Sequence, residues 1–289
     1  MNDNAAPGSG GPTTTTPVPI RGVDEWLVAI DLDGTTLDAS GQASLAVKAQ
    51  LHRVEQAGHH LLVATGRSKA AALTVLDEIE VWPEYVVCSN GGMVLARDHQ
   101  APTGYRHRRT ASFDVFPVVD ILRRELPSAR FAVEDEHGDF LYTHRFPPAT
   151  TEPEAAQTVV PFGILAAGRA IRVVAIAPDW DVLSFRAIAK GLVLPGASFS
   201  LGWTPWLDIA ARGVNKASAA EELRVTLGFG RDRVMAVGDG YNDIELIRWA
   251  AERGRGVAMG QSPESLFDVA SEITGSIEED GLASALARL

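Results

Sequence analysis

The stretch Leu27-Val28-Ala29-Ile30-Asp31-Leu32-Asp33-Gly34-Thr35-Thr36-Leu37 decides the architecture of this chain. Its short apolar run reads as a strand buried on both faces of a parallel sheet. The run ends in two carboxylates, a glycine and hydroxyls. Those polar residues therefore fall at the strand's carboxyl end, where open α/β sheets bind ligands. Asp31 and Asp33 are two residues apart, so at strand spacing both project toward one side. Carboxylates this close repel unless a cation or a shared proton intervenes, and the pair points to a metal, a catalytic pair, or both. Gly34 permits the sharp turn that exposes them. A turn with a helix cap is the competing reading, because Asp, Gly and Thr all favour turns.

Working outward, a helix is expected from Ser44 to Ala57, with Leu45, Val47, Leu51 and Val54 at helical spacing and Gly58 as its stop. His60-Leu61-Leu62-Val63-Ala64 reads as a second buried strand ending at Thr65-Gly66-Arg67-Ser68, followed by a helix to Ile79. A third strand, Tyr85 to Cys88, ends at Ser89-Asn90-Gly91-Gly92. This alternation is the signature of a parallel sheet with crossover helices.

The rhythm then changes. Residues 93–98, 104–109, 130–136 and 139–145 read as short strands, with a further strand from Ile171 to Ala177 and helices over Phe113 to Leu126 and Asp179 to Gly191. Paired strands mixed with helices suggest an inserted α+β unit. The α/β rhythm returns with a strand at Trp206-Leu207-Asp208-Ile209-Ala210. Lys216 and a helix to Leu227 follow, then a buried strand at Arg233 to Val237 that runs into Gly238-Asp239-Gly240-Tyr241-Asn242-Asp243. The expected organisation is thus α/β: a Rossmann-like parallel-sheet core over 25–95 and 206–289, with an α+β insert over 96–205. Residues 1–24, rich in Gly, Pro and Thr, read as a disordered tail.

Asp239 and Asp243 follow a strand as Asp31 and Asp33 do. Four carboxylates converging on one sheet edge require a cation, and oxygen ligands suit Mg2+. Asn242 and Asp243 are also good helix N-caps, and capping and metal work are expected to coexist. Lys216 opens a helix, where the dipole disfavours a cation, so it is a candidate to neutralise an anion. A solvated surface lysine is the alternative. Thr65 and Gly66 offer a hydroxyl and a backbone N–H to a phosphate. The sequence lacks a dinucleotide fingerprint, because Asp243 stands where a third glycine would be needed. It also lacks a nucleotide loop ending in Gly-Lys-Ser/Thr and any HExxH spacing.

Bulk properties set the outer limits. The 289 residues are enough for a sizeable core and one or two domains, and the hydrophobic share of 46% is ordinary for a globular protein. A formal net charge of -11 argues against nucleic-acid or anionic-membrane partners, which need a basic face. The single cysteine, Cys88, lies in an apolar run and reads as a buried structural thiol. No apolar stretch approaches membrane-span length, and no secretory signal opens the chain, so the cytoplasm is the expected compartment. A monomer or small homo-oligomer is expected.

Four separated pieces resemble, in order, the four motifs of the haloacid dehalogenase (HAD) superfamily: Asp31-Leu32-Asp33-Gly34-Thr35, Thr65-Gly66-Arg67, Lys216, and Gly238-Asp239-Gly240-Tyr241-Asn242-Asp243. Asn90-Gly91-Gly92, the position of the insert and Glu279-Asp280-Gly281 are similar to the Cof-like IIB subfamily, whose members carry a large α/β cap. The resemblance implies that Asp31 is a nucleophile forming an aspartyl-phosphate and that Asp33 is the general acid and base. It implies that Thr65 and Lys216 hold phosphoryl oxygens, with Gly66, Arg67, Asn90 and Asn242 beside them. It further implies that Asp31, the backbone carbonyl of Asp33, and Asp239 bind Mg2+, with Asp243 supporting. Dehalogenases of the superfamily lack an acid at the position of Asp33, and its ion pumps carry threonine there. The resemblance thus favours a Mg2+-dependent phosphatase of small phosphorylated metabolites, with a hexose phosphomutase or a catalytically silent binding protein as alternatives. Tyr241 stands where Glu or Ala is common, and Thr36 where many members have Leu.

Overall fold

The computed structural model describes residues 24–147, 157–202 and 204–289; the tail expected over 1–24 lies outside them apart from Asp24. Strand β1 (Leu27–Ile30) leads through the acidic turn and helix α1 (Leu45–Gln56) to β2 (His60–Ala64). Helix α2 (Lys69–Glu78) leads to β3 (Tyr85–Cys88), followed by β4 (Met93–Arg97) and β5 (Tyr105–Thr110). The chain then runs through β6 (Phe113–Asp114), α3 (Val115–Glu125), β7 (Arg130–Asp135), β8 (Phe140–Tyr142), β9 (Thr158–Val159) and α4 (Phe162–Leu165). Next come β10 (Arg169–Ile176), α5 (Val182–Lys190), β11 (Ala197–Leu201) and β12 (Trp206–Ala211). It closes with α6 (Lys216–Leu227), β13 (Val234–Gly238), α7 (Ile244–Ala251), β14 (Arg255–Ala258), α8 (Glu264–Phe267), β15 (Glu272–Ile273) and α9 (Gly281–Leu286).

Among the described residues these strands form an eight-stranded sheet in the order β15-β14-β13-β1-β2-β3-β4-β5 and a seven-stranded sheet in the order β11-β12-β10-β7-β8-β9, with β6 on β10. From β15 to β3 neighbours are parallel, whereas β4 and β5 are antiparallel. The alternation of side chains along a strand explains the layering. Val28 and Ile30 pack with Val47, Leu51 and Val54 of α1 and with Leu282 and Leu286 of α9. Leu27 and Ala29 pack on the opposite face with Ala219, Ala220 and Leu223 of α6 and Leu246 and Ile247 of α7. Each fully buried Leu, Ile or Val of this kind contributes roughly 1.5–3 kcal/mol. A strand covered on both faces must be apolar at every position, and β1 is fully buried throughout. Cys88 is buried in the same core.

Sheet membership moves both junctions expected from the sequence. β4 and β5 extend the first sheet, so the crossing to the second falls after Thr110 rather than near residue 95. β12 pairs with β10 and β11, so the return falls after Ala211 rather than before Trp206. The physical reason is that an apolar alternation marks a strand but does not say which partner it hydrogen-bonds. The helix expected from Phe113 begins at Val115, because Phe113 and Asp114 are extended and pair with Ala170 and Arg169.

One surface cluster ties α6 to α7. The Glu221 carboxylate accepts from Arg224 Nε (2.8 Å) and Nη2 (2.9 Å), Trp249 Nε1 (2.8 Å) and Arg231 Nη1 (3.2 Å). The Arg224 bonds, with help from Trp249 and Arg231, hold its carboxyl down at about 2. A depressed acid stabilises the fold above its unfolded-state pKa, and that contribution fades as pH falls from the ordinary glutamate range toward the folded value. The group is over a third exposed, so screening limits the effect to about 1 kcal/mol. Glu221→Gln is expected to lower the urea midpoint at pH 7, and the gap from wild type should narrow between pH 5 and 3. Superimposed curves at pH 7 would show that the cluster carries no net stability.

Candidate active site

Parallel pairing brings the loop after each strand to one edge. Asp31 follows β1 and its N–H donates to the Val237 carbonyl (3.0 Å), while Thr65 follows β2 and its N–H donates to the Val87 carbonyl (2.8 Å). Ser89 and Asn90 follow β3, and Asp239 follows β13.

Lys216, the first residue of α6, has a fully buried side chain whose Nζ donates to Asp31 Oδ1 and to Asp243 Oδ1, each at 2.7 Å. Helix dipole and burial both oppose a cation there. Asp243 and Asp31 outweigh burial and keep the ammonium protonated above the usual lysine range. The solvated-surface alternative is therefore excluded. Asp243 also accepts from the N–H groups of Asp239 (3.2 Å) and Gly240 (3.0 Å) through Oδ2, so one carboxylate closes the turn and grips the lysine. A Cβ at Gly238 would sit 2.5 Å from Asp243 Cγ, a space only glycine leaves open.

Asp239 accepts from Thr35 Oγ1 (3.3 Å), and Gly34 lies so close that a Cβ there would come within 2.2 Å of Asp239 Oδ2. Gly34 also has φ +78, so the turn and the close approach both require glycine. Carboxylate oxygens of Asp31, Asp239 and Asp243 lie within 4.8 Å of one another. Burial, then repulsion from Asp243, push the Asp31 carboxyl well up and that of Asp239 to about 6, with Lys216 offsetting only part. An oxygen-only set with surplus negative charge fits a hard divalent cation such as Mg2+.

Asp31 and Asp33 do not share one environment. Asp31 is buried, whereas the Asp33 side chain is 57% exposed and held by the Arg67 fork, Nε to Oδ2 at 2.9 Å and Nη2 to Oδ1 at 2.6 Å. The Asp33 carboxylate lies outside the cluster formed by the other three acids. Each of the two acids has its own basic side-chain partner, Lys216 for Asp31 and Arg67 for Asp33.

Thr65 is buried, and its Oγ1 accepts from the Arg67 N–H (3.1 Å). The Gly66 carbonyl accepts from Arg172 Nη1 (2.6 Å) of the second sheet. Asn90 adopts a left-handed backbone (φ 52), which asparagine tolerates better than most residues. Its Oδ1 accepts from Asn242 Nδ2 and its Nδ2 donates to Asp208 Oδ2, each at 3.0 Å. Contacts thus join Asp31, Lys216 and Asp243; Asp33 and Arg67; and Gly66, Asn90 and Asn242 along one edge.

Sequence reading missed the residues that hold this edge against the second sheet. Glu134 is fully buried, accepts from Ser89 Oγ at 2.8 Å through both oxygens, and pairs with Arg172 Nε at 2.9 Å. Arg172 interrupts the apolar run of β10, and that interruption was the available signal, whereas Glu134 stands beside Asp135 at the end of β7 and gave none. Their pairing was not available, because it depends on β7 and β10 lying in register. Thr36, unassigned from sequence, donates from Oγ1 to the Asp31 carbonyl (2.6 Å) and pins the backbone of the acid.

Residues 28–286 match the sequence profile of the haloacid dehalogenase-like hydrolases. The chain is similar to a 5-amino-6-(5-phospho-D-ribitylamino)uracil phosphatase of Bacillus subtilis (strain 168), with 26% identity over 270 residues, 89% of this chain and 95% of that protein. It superposes on a phosphatase of the haloalkanoate enzyme superfamily from Bacteroides thetaiotaomicron with a TM-score of 0.74, at 24% identity over 91% of this chain and 94% of that one. A subclass IIB sugar phosphatase gives a TM-score of 0.75 at 18% identity, over 91% and 98% of the two chains. These two structures share the fold described above.

Proposed function

The chain belongs to the haloacid dehalogenase-like hydrolase family, and we propose that within it the protein hydrolyses phosphate monoesters of small metabolites through a phosphorylated Asp31. The observation that carries this reading is the buried Asp31 carboxylate, oriented by Lys216 through Oδ1 at a strand end, with Asp33 two residues away and Thr65 just after the neighbouring strand β2. Oδ2 of Asp31 attacks phosphorus, the bond to the ester oxygen breaks, and Asp33 gives the departing oxygen a proton. Asp33 then takes a proton from water, whose oxygen displaces Asp31 and releases inorganic phosphate. Arg67 occupies both Asp33 oxygens, so its fork must let go before proton transfer; the same fork suits a phosphoryl group. Thr65 Oγ1, the N–H groups around Gly66 and Lys216 hold the phosphoryl oxygens.

Mg2+ is the expected cofactor, held by Asp31, Asp239 and the Asp33 carbonyl, with Asp243 supporting through Lys216 and the turn. When bound, it neutralises charge on the carboxylates and the phosphoryl group. We assign the second sheet and its helices the role of a cap that closes over the substrate, excludes water and chooses the leaving group. The relatives' names support a phosphorylated small molecule as the substrate class. No described helix is long and apolar enough to cross a membrane.

The test is inorganic phosphate released from a panel of phosphate esters, with Mg2+ and with EDTA. Free phosphate is expected in the Mg2+ arm. Isomerised hexose phosphate without free phosphate would replace this reading with a phosphomutase, and no turnover of any ester would leave a binding protein.

A further inference from the structure

One side chain from the far end of the chain holds the acidic turn after β1. Gln261 lies between β14 and α8, and its Nε2 donates to the Gly34 carbonyl at 2.6 Å across 227 positions of sequence. Its Oε1 accepts from the Ile277 N–H at 3.1 Å. A carbonyl can only accept and a backbone N–H can only donate, so these two partners fix which end of the amide faces the turn. Nε2 carries a second hydrogen, and Asp239 also takes a hydrogen bond from this side chain. That bond works against burial and the Asp243 charge, which push the Asp239 carboxyl up to about 6. One neutral amide therefore spans the loops after β1 and β13.

The partners of Gly34 show what the contact controls. Its N–H donates to the Leu37 carbonyl at 2.9 Å, and its own carbonyl is taken by Gln261. The peptide between Asp33 and Gly34 is trans, so the Asp33 carbonyl points opposite to the Gly34 N–H, away from Leu37. Leu37 and Gln261 thus hold the two peptide planes on either side of the Gly34 Cα. Gly34 (φ +78) is the residue of this turn with the widest backbone freedom. A Cβ there would lie 2.2 Å from Asp239 Oδ2, so a small rotation at Gly34 changes the space between the turn and that acid.

The anchor of Gln261 is itself braced. Ile277 opens a 3-10 turn (Ile277–Glu279) after Ser276. The Ser276 N–H donates to Glu279 Oε2 at 2.9 Å, and its carbonyl accepts from the Gly281 N–H at 2.9 Å. Gly260, the residue before Gln261, donates its N–H to the Gly275 carbonyl at 2.9 Å, and a Cβ on it would lie 2.9 Å from the Ser276 nitrogen. Glu279 and Gly281, singled out in the sequence, therefore act on the acidic turn through Ser276, Ile277 and Gln261.

We propose that Gln261 is a positioning residue of the metal centre: it fixes the Gly34 peptide against Asp239, with Ile277 as its anchor, and so holds Asp239 and the Asp33 carbonyl at the spacing a small octahedral cation requires. The inference rests on the Mg2+ reading given above and adds to it a residue outside the carboxylate set.

Melting temperature against Mg2+ concentration, measured without substrate, tests it. A ligand that binds only the folded state stabilises according to its concentration over Kd, so a weaker site displaces the whole curve along the concentration axis by the fold-change in Kd. Gln261→Met keeps the length of the side chain and removes both donor and acceptor. It is expected to displace the curve about tenfold toward higher Mg2+, the scale of losing a group that orients metal ligands. In EDTA its melting temperature should stay within about 3 °C of wild type, because the side chain is exposed. Ile277→Pro keeps Gln261 and deletes the N–H that orients it. Ser276 is already extended (φ -71, ψ 174), the conformation a following proline requires. Ile277 also packs on the core, so this variant loses stability in EDTA, and the Mg2+ displacement is read separately. That displacement should be about threefold, and it should vanish in the background of Gln261→Met, because the anchor acts only through the amide. A Gln261→Met curve that overlays wild type along the Mg2+ axis, with or without a loss of stability in EDTA, would make the contact purely structural and overturn the proposal. Displacements that add in the double variant would overturn it too. A wild-type melting temperature indifferent to Mg2+ would instead remove the metal reading, and this proposal with it.

Discussion

Asp31→Asn is expected to reduce phosphate release by about 10⁴-fold or more, the scale seen when a covalent nucleophile is removed. The amide is nearly isosteric but cannot form the acyl phosphate. The stability of the variant carries independent information. Burial and the neighbouring Asp243 push the Asp31 carboxyl well up, so its charge is a burden on the folded state. A raised acid costs stability when ionised, and an uncharged amide removes that cost. Lys216 keeps Asp243 at 2.7 Å and is not left as a buried, unpaired cation. In EDTA the melting temperature of the variant should therefore equal or exceed that of wild type. Wild-type turnover by the variant would end the covalent mechanism. A melting temperature more than about 10 °C lower, several kcal/mol at this size, would mean that the Asp31–Lys216 pair is a net stabiliser.

Chelation should also lower turnover, by a smaller factor. Three clustered carboxylates against one ammonium leave surplus negative charge, and burial, then repulsion from Asp243, raise the Asp239 carboxyl. Exhaustive EDTA treatment is expected to lower turnover by about 10²-fold or more, with recovery on Mg2+ addition. Calcium should inhibit, because its looser coordination disturbs the in-line approach of Asp31. A binding readout separates metal affinity from chemistry. Wild-type melting temperature should climb with Mg2+ concentration, as any ligand that binds only the folded state requires. Asp239→Asn should flatten that climb and raise the Mg2+ concentration needed for half-maximal activity. Asp243→Asn is expected to behave differently. Its oxygens are committed to Lys216 and to the Asp239 and Gly240 N–H groups, so the loss should fall on stability as well as on turnover. Full activity after chelation, or a Mg2+ response unchanged in Asp239→Asn, would refute this metal assignment.

Local pattern was enough to read the strands that carry chemistry. β1 and β3 fall where their apolar runs are, and the polar residues after β1, β2, β3 and β13 mark the ligand-facing edge. This legibility has a cause: a strand buried on both faces must be apolar along its length, so the first acid or hydroxyl is also its end. Gly34 was likewise readable as a turn glycine, although the Asp239 carboxylate that crowds it was not.

Other properties exist only once distant segments meet. Lys216 looked like a weak candidate at a helix start; 185 residues of separation from Asp31 hid the pair that makes it a buried cation. The sheet to which β4, β5 and β12 belong depends on hydrogen-bond partners, and side-chain alternation is the same whichever partner is chosen. Glu134 and Arg172 lie on different strands 38 positions apart, and register alone turns them into one buried pair under the Gly66 carbonyl. Composition along the chain thus specifies which atoms are available for phosphate chemistry. The packing of one sheet on the other specifies what lies beside them, because charge, burial and shape at a contact are properties of both surfaces at once.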